Sequence, residues 1–269
     1  MSGYGYRHYV RIPLTLYFPA LTTLNLFCVA MHFDDTTDKC GNLLSNCASL
    51  KNLTLNNCRI VGGRSKDLKI CHLGLSNLTL EDGGYNYVSV DTPQLKNFTL
   101  INFPSVHLVS APNLASLHLE DDKDKHFGHP LKVSADLLHL EKVDVCIRCS
   151  HEYEYKDYAQ DIVCLLQQLY SVKCLTLNSE LVKLLSSSVE LISDQPSPFT
   201  RLKSLKIYPS DITEPEVTMS TEVKNFLLDS SQDATFTLVS HEEVRAGMNV
   251  ASAENRMREL QMLLDQWTE

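Results

Sequence analysis

The sequence predicts an α/β solenoid, a curved parallel sheet with helices or irregular segments on its convex side, and three observations predict it. The stretch Leu50-Lys-Asn-Leu53-Thr-Leu55-Asn-Asn-Cys58 reads L-x-x-L-x-L-x-x-C without a mismatch, which is the signature of a leucine-rich repeat. The L-x-x-L-x-L core recurs, with Phe, Val or Ile in some places, around Leu24, Leu53, Leu78, Phe98, Leu117, Val143, Leu175 and Leu205. These anchors lie 29, 25, 20, 19, 26, 32 and 30 residues apart, an irregular period close to the roughly 20–29 residues of this repeat class.

Each anchor predicts a short strand, because alternation sends its leucines inward and the residues between them into solvent. At the central repeat, Cys58 is the position expected to turn the chain away from the strand. Residues 1–17 form a lead-in without a repeat, residues 18–208 the repeat array, and residues 209–269 a C-terminal region. Phe18-Pro-Ala-Leu21 already leads into a repeat strand with no helix to cap it. A solenoid end without a cap exposes its core, so the expectation is that the chain continues a longer protein.

Taken in order, the first connection carries Leu43, Leu44 and Cys47 at helical spacing, a short helix with Thr36 or Thr37 as its cap. The repeats from Leu75 to Leu119 are linked through Gly83-Gly84, Pro93, Pro104 and Pro112, which favour extended or turn connections over helix. A charged loop is expected at 120–125. Helices return over 157–170, with Ile162, Leu165, Leu166 and Leu169 on one face, and over 179–185. After Tyr208 the repeat pattern stops. A helix capped by Ser220 or Thr221 runs to Leu228, Ala234 to Val239 alternates as a strand, and Ser240-His-Glu-Glu243 is a capping box. It opens a last helix whose stripe runs from Val244 to Trp267.

The 269 residues are 43% hydrophobic, with 24 Lys plus Arg against 33 Asp plus Glu and a net charge of −9. That balance argues against a nucleic-acid groove, which needs a basic surface. No signal-peptide run follows a basic start, and no stretch approaches about 18 uninterrupted apolar residues, so a membrane span is not expected. Of nine cysteines, most fall where a small apolar residue is expected to pack, as at Cys28, Cys58, Cys71 and Cys174; read as reduced core thiols, they point to the cytoplasm or nucleus.

Several strings resemble a known family. Phe18-Pro-Ala-Leu-Thr-Thr-Leu-Asn-Leu26, Asp91-Thr-Pro-Gln-Leu-Lys-Asn-Phe98 and Ala111-Pro-Asn-Leu-Ala-Ser-Leu117 resemble the plant F-box proteins with leucine-rich repeats. The tail from Pro198 to Ile207, through Ser220 to Leu228 and on to His241-Glu-Glu-Val244, looks like their FBD-type C-terminal region. The resemblance implies an FBD-like α+β cap over 209–269. It also implies the target-binding part of an SCF-type ubiquitin ligase, in which an F-box holds the Skp adaptor and cullin while the repeats hold the target. Nothing at the start of the chain resembles the F-box, so adaptor and cullin are expected only with an upstream F-box. The alternative is a free-standing structural or regulatory repeat scaffold.

The concave face is the candidate site, since a sheet presents an outward side chain at every second position. It offers Asn52, Thr54 and Asn56; Asn77, Thr79 and Glu81; Asn97 and Thr99; Ser116, His118 and Glu120; Lys142 and Asp144; and Thr176 and Asn178. Asn25, Phe27, Lys206 and Tyr208 extend it. The expected partner is a protein target, with no nucleic acid and no membrane. An anionic cofactor would want a basic floor, and the face has few Lys or Arg; no cofactor is expected. Cys146, Cys149 and His151 lack a fourth ligand at zinc spacing, so Cys146 reads as strand packing. The sequons at Asn52, Asn77 and Asn97 arise from the repeat itself and would put glycans on the concave face. No G-x-S-x-G, H-E-x-x-H or phosphate loop occurs, and no enzyme is expected.

Overall fold

The computed structural model describes residues 9–13, 17–32, 44, 46–62, 66–102, 105–122, 131–134, 136–148, 155–210 and 218–243. The fold is α/β, built on parallel sheets with few helices. The N-terminal half contributes β1 (Val10–Pro13), β2 (Thr23–Phe27), β3 (Val29–His32), β4 (Asn52–Asn56), β5 (Arg59–Val61) and β6 (Asp67–Cys71). Then come β7 (Asn77–Glu81), β8 (Tyr87–Asp91), β9 (Asn97–Ile101), β10 (Val106–Ser110), β11 (Ser116–Asp122), β12 (Lys132–Val133) and β13 (Lys142–Arg148). The rest alternates helix and strand: α1 (Tyr155–Gln168), β14 (Cys174–Asn178), α2 (Ser179–Ser187), β15 (Ser204–Tyr208), α3 (Thr221–Leu228) and β16 (Thr235–Leu238).

The largest sheet is parallel throughout and has nine strands in the order β2-β4-β7-β9-β11-β13-β14-β15-β16. Leu24, Leu53, Leu78, Phe98, Leu117, Val143, Leu175 and Leu205 occupy one register row across it. These are the eight anchors of the sequence pattern. The equivalence extends to the backbone, where one carbonyl before each strand accepts two N–H groups from the next: Thr22 from Lys51 and Asn52, Lys51 from Ser76 and Asn77, Ser76 from Lys96 and Asn97. β16 joins as a ninth strand, Phe236 beside Leu205, so the ladder runs past Tyr208.

Behind this sheet the N-terminal half carries two further parallel sheets, β1-β3-β5 and β12-β10-β8-β6, while the C-terminal half carries helices. Repeat length explains the change. A strand rises about 3.3 Å per residue and a helix 1.5 Å, so the 19- and 20-residue repeats around Phe98 cross the layer extended, as β8 and β10. The longer repeats after Val143 have room for α1 and α2. The core lies between the layers: Leu53, Leu55, Leu78, Leu80 and Phe98 from one side meet Leu68, Ile70, Val88, Val90, Val106 and Leu108 from the other, all buried. In the helical half Ile162, Leu165, Leu166 and Leu169 take that place, as their spacing predicts. At the two edges the inward residues are less covered, Leu24 and Leu26 being half-buried and Phe236 and Leu238 exposed.

Some local expectations need correcting. The chain leaves the sheet at Asn57 rather than Cys58: Asn57, Asp82, Asn102 and Cys28 all hold φ between 48° and 53°, the left-handed region that Asn and Asp tolerate best among residues with a Cβ. Cys58 is buried behind the turn, its thiol against the carbonyls of Leu26 and Asn56. The charged loop begins later than 120, because β11 continues to Asp122 in register with β13, and buried Asp121 accepts a hydrogen bond from Tyr158 of α1 at 3.0 Å. The first expected helix falls mostly outside the described residues, although Leu44 and Cys47 are buried. The last helix, beyond Glu243, lies outside them too. Its capping box is described: Ser240 Oγ accepts from Glu243 N at 3.2 Å, and Glu243 Oε2 accepts from Ser240 N at 2.8 Å.

Candidate binding face

Three rows of outward side chains cross the nine-stranded sheet. In the first, Asn97 Nδ2 donates to Asn77 Oδ1 at 2.5 Å, Asn77 Nδ2 to Asn52 Oδ1 at 2.6 Å, and Asn52 Nδ2 to Thr23 Oγ1 at 2.9 Å. Parallel in-register pairing brings equal residues side by side, so one amide per repeat becomes a ladder with a single direction. These Nδ2 atoms are the ones that sequon glycans would take. Neighbouring strands only about 4.8 Å apart leave no room for glycans on all three. The second row places Thr54, Thr79 and Thr99 beside His118, Asp144, Thr176 and Lys206. In the third row Asn56 Nδ2 donates to Glu81 Oε2 at 2.5 Å, and Glu120, Cys146 and Tyr208 follow.

The N-terminal part of the face is mostly amide and hydroxyl, with the carboxylate of Glu81 among them; the C-terminal part carries charges of both signs. His118 Nδ1 lies 3.1 Å from Asp144 Oδ2 and its Nε2 lies 4.0 Å from Glu120 Oε2, while Arg148 reaches Glu120 at 3.2 Å. The hydrogen bond to Asp144 holds the imidazole's pKa above the ordinary value, with the charges of Asp144 and Glu120 adding and burial and Lys142 opposing. The unfolded chain titrates near 6.5, below the folded group. The protonated ring therefore favours the fold fully below about pH 6.5, and this contribution fades as pH rises through the folded pKa. An NMR titration of His118 is expected to show a raised midpoint that falls in Asp144→Asn; an unchanged midpoint would mean the hydrogen bond does not hold the proton.

Cys146 and Tyr208 form a hydrogen-bonded pair beside this network. Burial pushes the Cys146 thiol up, and burial and then Cys146 push the Tyr208 phenol up. Both stay protonated near neutrality, so Cys146 is not an activated nucleophile despite a His–Asp pair nearby. On the sheet behind, His107 Nε2 lies 2.6 Å from Ser134 Oγ at the surface, where nothing shields the pair from water. Cys149 and His151 lie outside the described residues, among which no group of three His, Cys, Asp or Glu could hold a metal. No helix among the described residues is long and apolar enough to cross a membrane.

Of the sequence-derived face, Asn52, Thr54, Asn56, Asn77, Thr79, Glu81, Asn97, Thr99, Ser116, His118, Glu120, Lys142, Asp144 and Thr176 are half-buried or exposed. Asn178 is not: it is 0% exposed. Its Oδ1 accepts from Ile147 N at 3.1 Å and from Leu181 N at 3.3 Å, and its Nδ2 donates to the Ile147 carbonyl at 2.5 Å and to Ser210 Oγ at 2.8 Å. It caps α2 and ties that helix to β13, and it is unavailable to a partner. Sequence reasoning missed Arg148 as a member of the face. The signal was present, since the alternation Lys142, Asp144, Cys146, Arg148 continues without a break.

With this geometry in hand, comparison with known proteins adds no relative: no protein-family model, no curated protein and no solved structure matches the chain.

Proposed function

We propose that the chain is a leucine-rich-repeat solenoid over 18–208, closed by an FBD-like C-terminal region over 209–269, and that its outward sheet face holds a protein target. The observation that carries this reading is the register row. Eight anchors separated by unequal lengths of chain fall side by side, and such stacking builds the extended binding surfaces of repeat proteins. The face suits a polypeptide, with amide and hydroxyl groups and the single carboxylate of Glu81 over β4, β7 and β9 and mixed charge from β11 to β15. The resemblance to plant F-box proteins makes the target a substrate of an SCF-type ubiquitin ligase, with the Skp adaptor and cullin as partners only if an F-box lies upstream.

The test is parallel capture from plant extract on the wild-type chain and on a Thr79→Arg/Thr99→Arg variant. Both side chains point outward, so the fold is kept. A true target loses about thirtyfold or more in affinity on the variant, as for a disrupted hot spot. A target captured equally by both proteins sinks the binding-face reading. Adaptor and cullin recovered with a longer product that carries an F-box support the ligase; a face-dependent target without them leaves the free-standing scaffold.

A further inference from the structure

We propose that the row of turns feeding the nine-stranded sheet is a second binding surface, separate from the outward face, and that it docks on an anionic lipid headgroup surface. Each of these turns sits just before a strand. They close with i to i+3 hydrogen bonds at Leu21 N to Phe18 O, Leu50 N to Cys47 O, Leu95 N to Thr92 O, Leu114 N to Ala111 O, Leu140 N to Leu137 O and Val172 N to Leu169 O, all between 3.0 and 3.2 Å. The second residue of a turn stands at its apex. Proline there, as at Pro93 and Pro112, is what such a turn favours. Ahead of β7 the chain turns at Leu73–Gly74, where Gly74 N donates to His72 Nδ1 at 3.1 Å; a turn asks for no apolar side chain at Leu73, Leu138 or Tyr170, yet these are 81%, 56% and 39% exposed. Because the turns follow the strands, the apexes over β7, β9, β11, β13 and β14 form one file with a step of about 4.8 Å.

Cations flank that file. The Lys51 ammonium lies against the Leu73 turn, where a Cβ on Gly74 would come within 3.2 Å of its Nζ. Lys96 is exposed at the start of β9. At the other end Lys173 pairs with Glu141, and Arg201 and Lys203 also act on that carboxylate, so three cations share one acid beside Leu138 and Tyr170. Asp136, Asp91 ahead of the Pro93 turn and Asp233 in the turn before β16 are further acids on this rim; with Glu141 they are outnumbered by Lys51, Lys96, Lys173, Arg201 and Lys203. On a chain of net charge −9, the basic edge selects an anionic surface. Shape selects a fluid one: a single file of tips buries little area against a rigid protein, whereas the headgroup–acyl boundary closes round each side chain and leaves the phenol of Tyr170 in water. Such attachment is peripheral and needs no membrane-spanning helix.

The test is co-sedimentation of the full chain with phosphatidylcholine vesicles, with and without about one-third phosphatidylserine. Binding is expected only with phosphatidylserine and is expected to vanish in high salt. Each cation near the surface contributes about fivefold, so Lys96→Ala/Arg201→Ala/Lys203→Ala lowers the partition coefficient about a hundredfold. Leu73→Glu/Leu138→Glu, at exposed positions that leave the fold intact, is expected to abolish it. Thr79→Arg/Thr99→Arg on the outward face is expected to sediment like the wild type, which separates this proposal from the target-binding reading. Equal binding to both vesicle types, binding that survives the leucine substitutions, or no binding at all would overturn it, the last pointing to a protein on this rim instead.

Discussion

Replacing Asn178 by alanine is expected to destabilise the fold by about 3 kcal/mol or more, from a lost helix cap worth about 1 and two buried backbone groups left unpaired at about 1–3 each. The groups are the N–H and C=O of Ile147, which this amide bridges. The α2 helix loses the acceptor for Leu181 N at the same time. Denaturant unfolding measures the loss. Asn178→Ser separates the two contributions: serine restores the cap but is too short to bridge to Ile147, so only about 1 kcal/mol is expected back. Full recovery with serine would show that the bridge to β13 contributes little.

Phe98→Ala is expected to cost about 3–5 kcal/mol, the usual range for deleting a buried aromatic. Phe98 is 1% exposed, with Leu78 on one side and Leu117 on the other in the register row. The mode of unfolding tells more than the size. In a stack where each unit touches only its neighbours, a weak unit in the middle can uncouple the two halves, and the transition then broadens with a lower denaturant slope. Phe98→Leu, which restores the residue found at most anchors, is expected to recover most of the stability and the single steep transition. An alanine variant as stable as the wild type would mean that this position is not a core anchor.

These two residues also mark where the sequence was informative and where it was not. Phe98 was legible because a period-2 strand repeated at bounded intervals has one consistent inward set, and the same argument found the eight anchors from Leu24 to Leu205 but not Phe236, which continues the row. The helices α1, α2 and α3 were legible from three–four spacing and from Ser220 as a cap, whose Oγ accepts from Val223 N at 3.3 Å. The second sheet was only half legible: Pro and Gly favoured extended or turn connections between Leu75 and Leu119, but Tyr87-Val-Ser-Val-Asp91 pairs with strands on either side about one repeat away, and short-range pattern carries no such pairing. Asn178 was misplaced for a related reason. Alternation points it outward, yet α2 begins at the next residue and folds over it, a tertiary event that period alone does not encode. The turn at Asn57 had a local signal, Asn or Asp recurring two places after the second leucine at Asn57, Asp82 and Asn102.

The claim that the outward rows are the binding surface is tested most directly by site-specific photo-cross-linking to a captured target. A photoreactive residue at Thr99 or His118 on the nine-stranded sheet is compared with one at Lys69 or Ser89 on the sheet behind. Cross-links from Thr99 and His118, and none from Lys69 and Ser89, are the expected result. Cross-links confined to Lys69 and Ser89 would contradict the account and move the binding surface to the opposite layer.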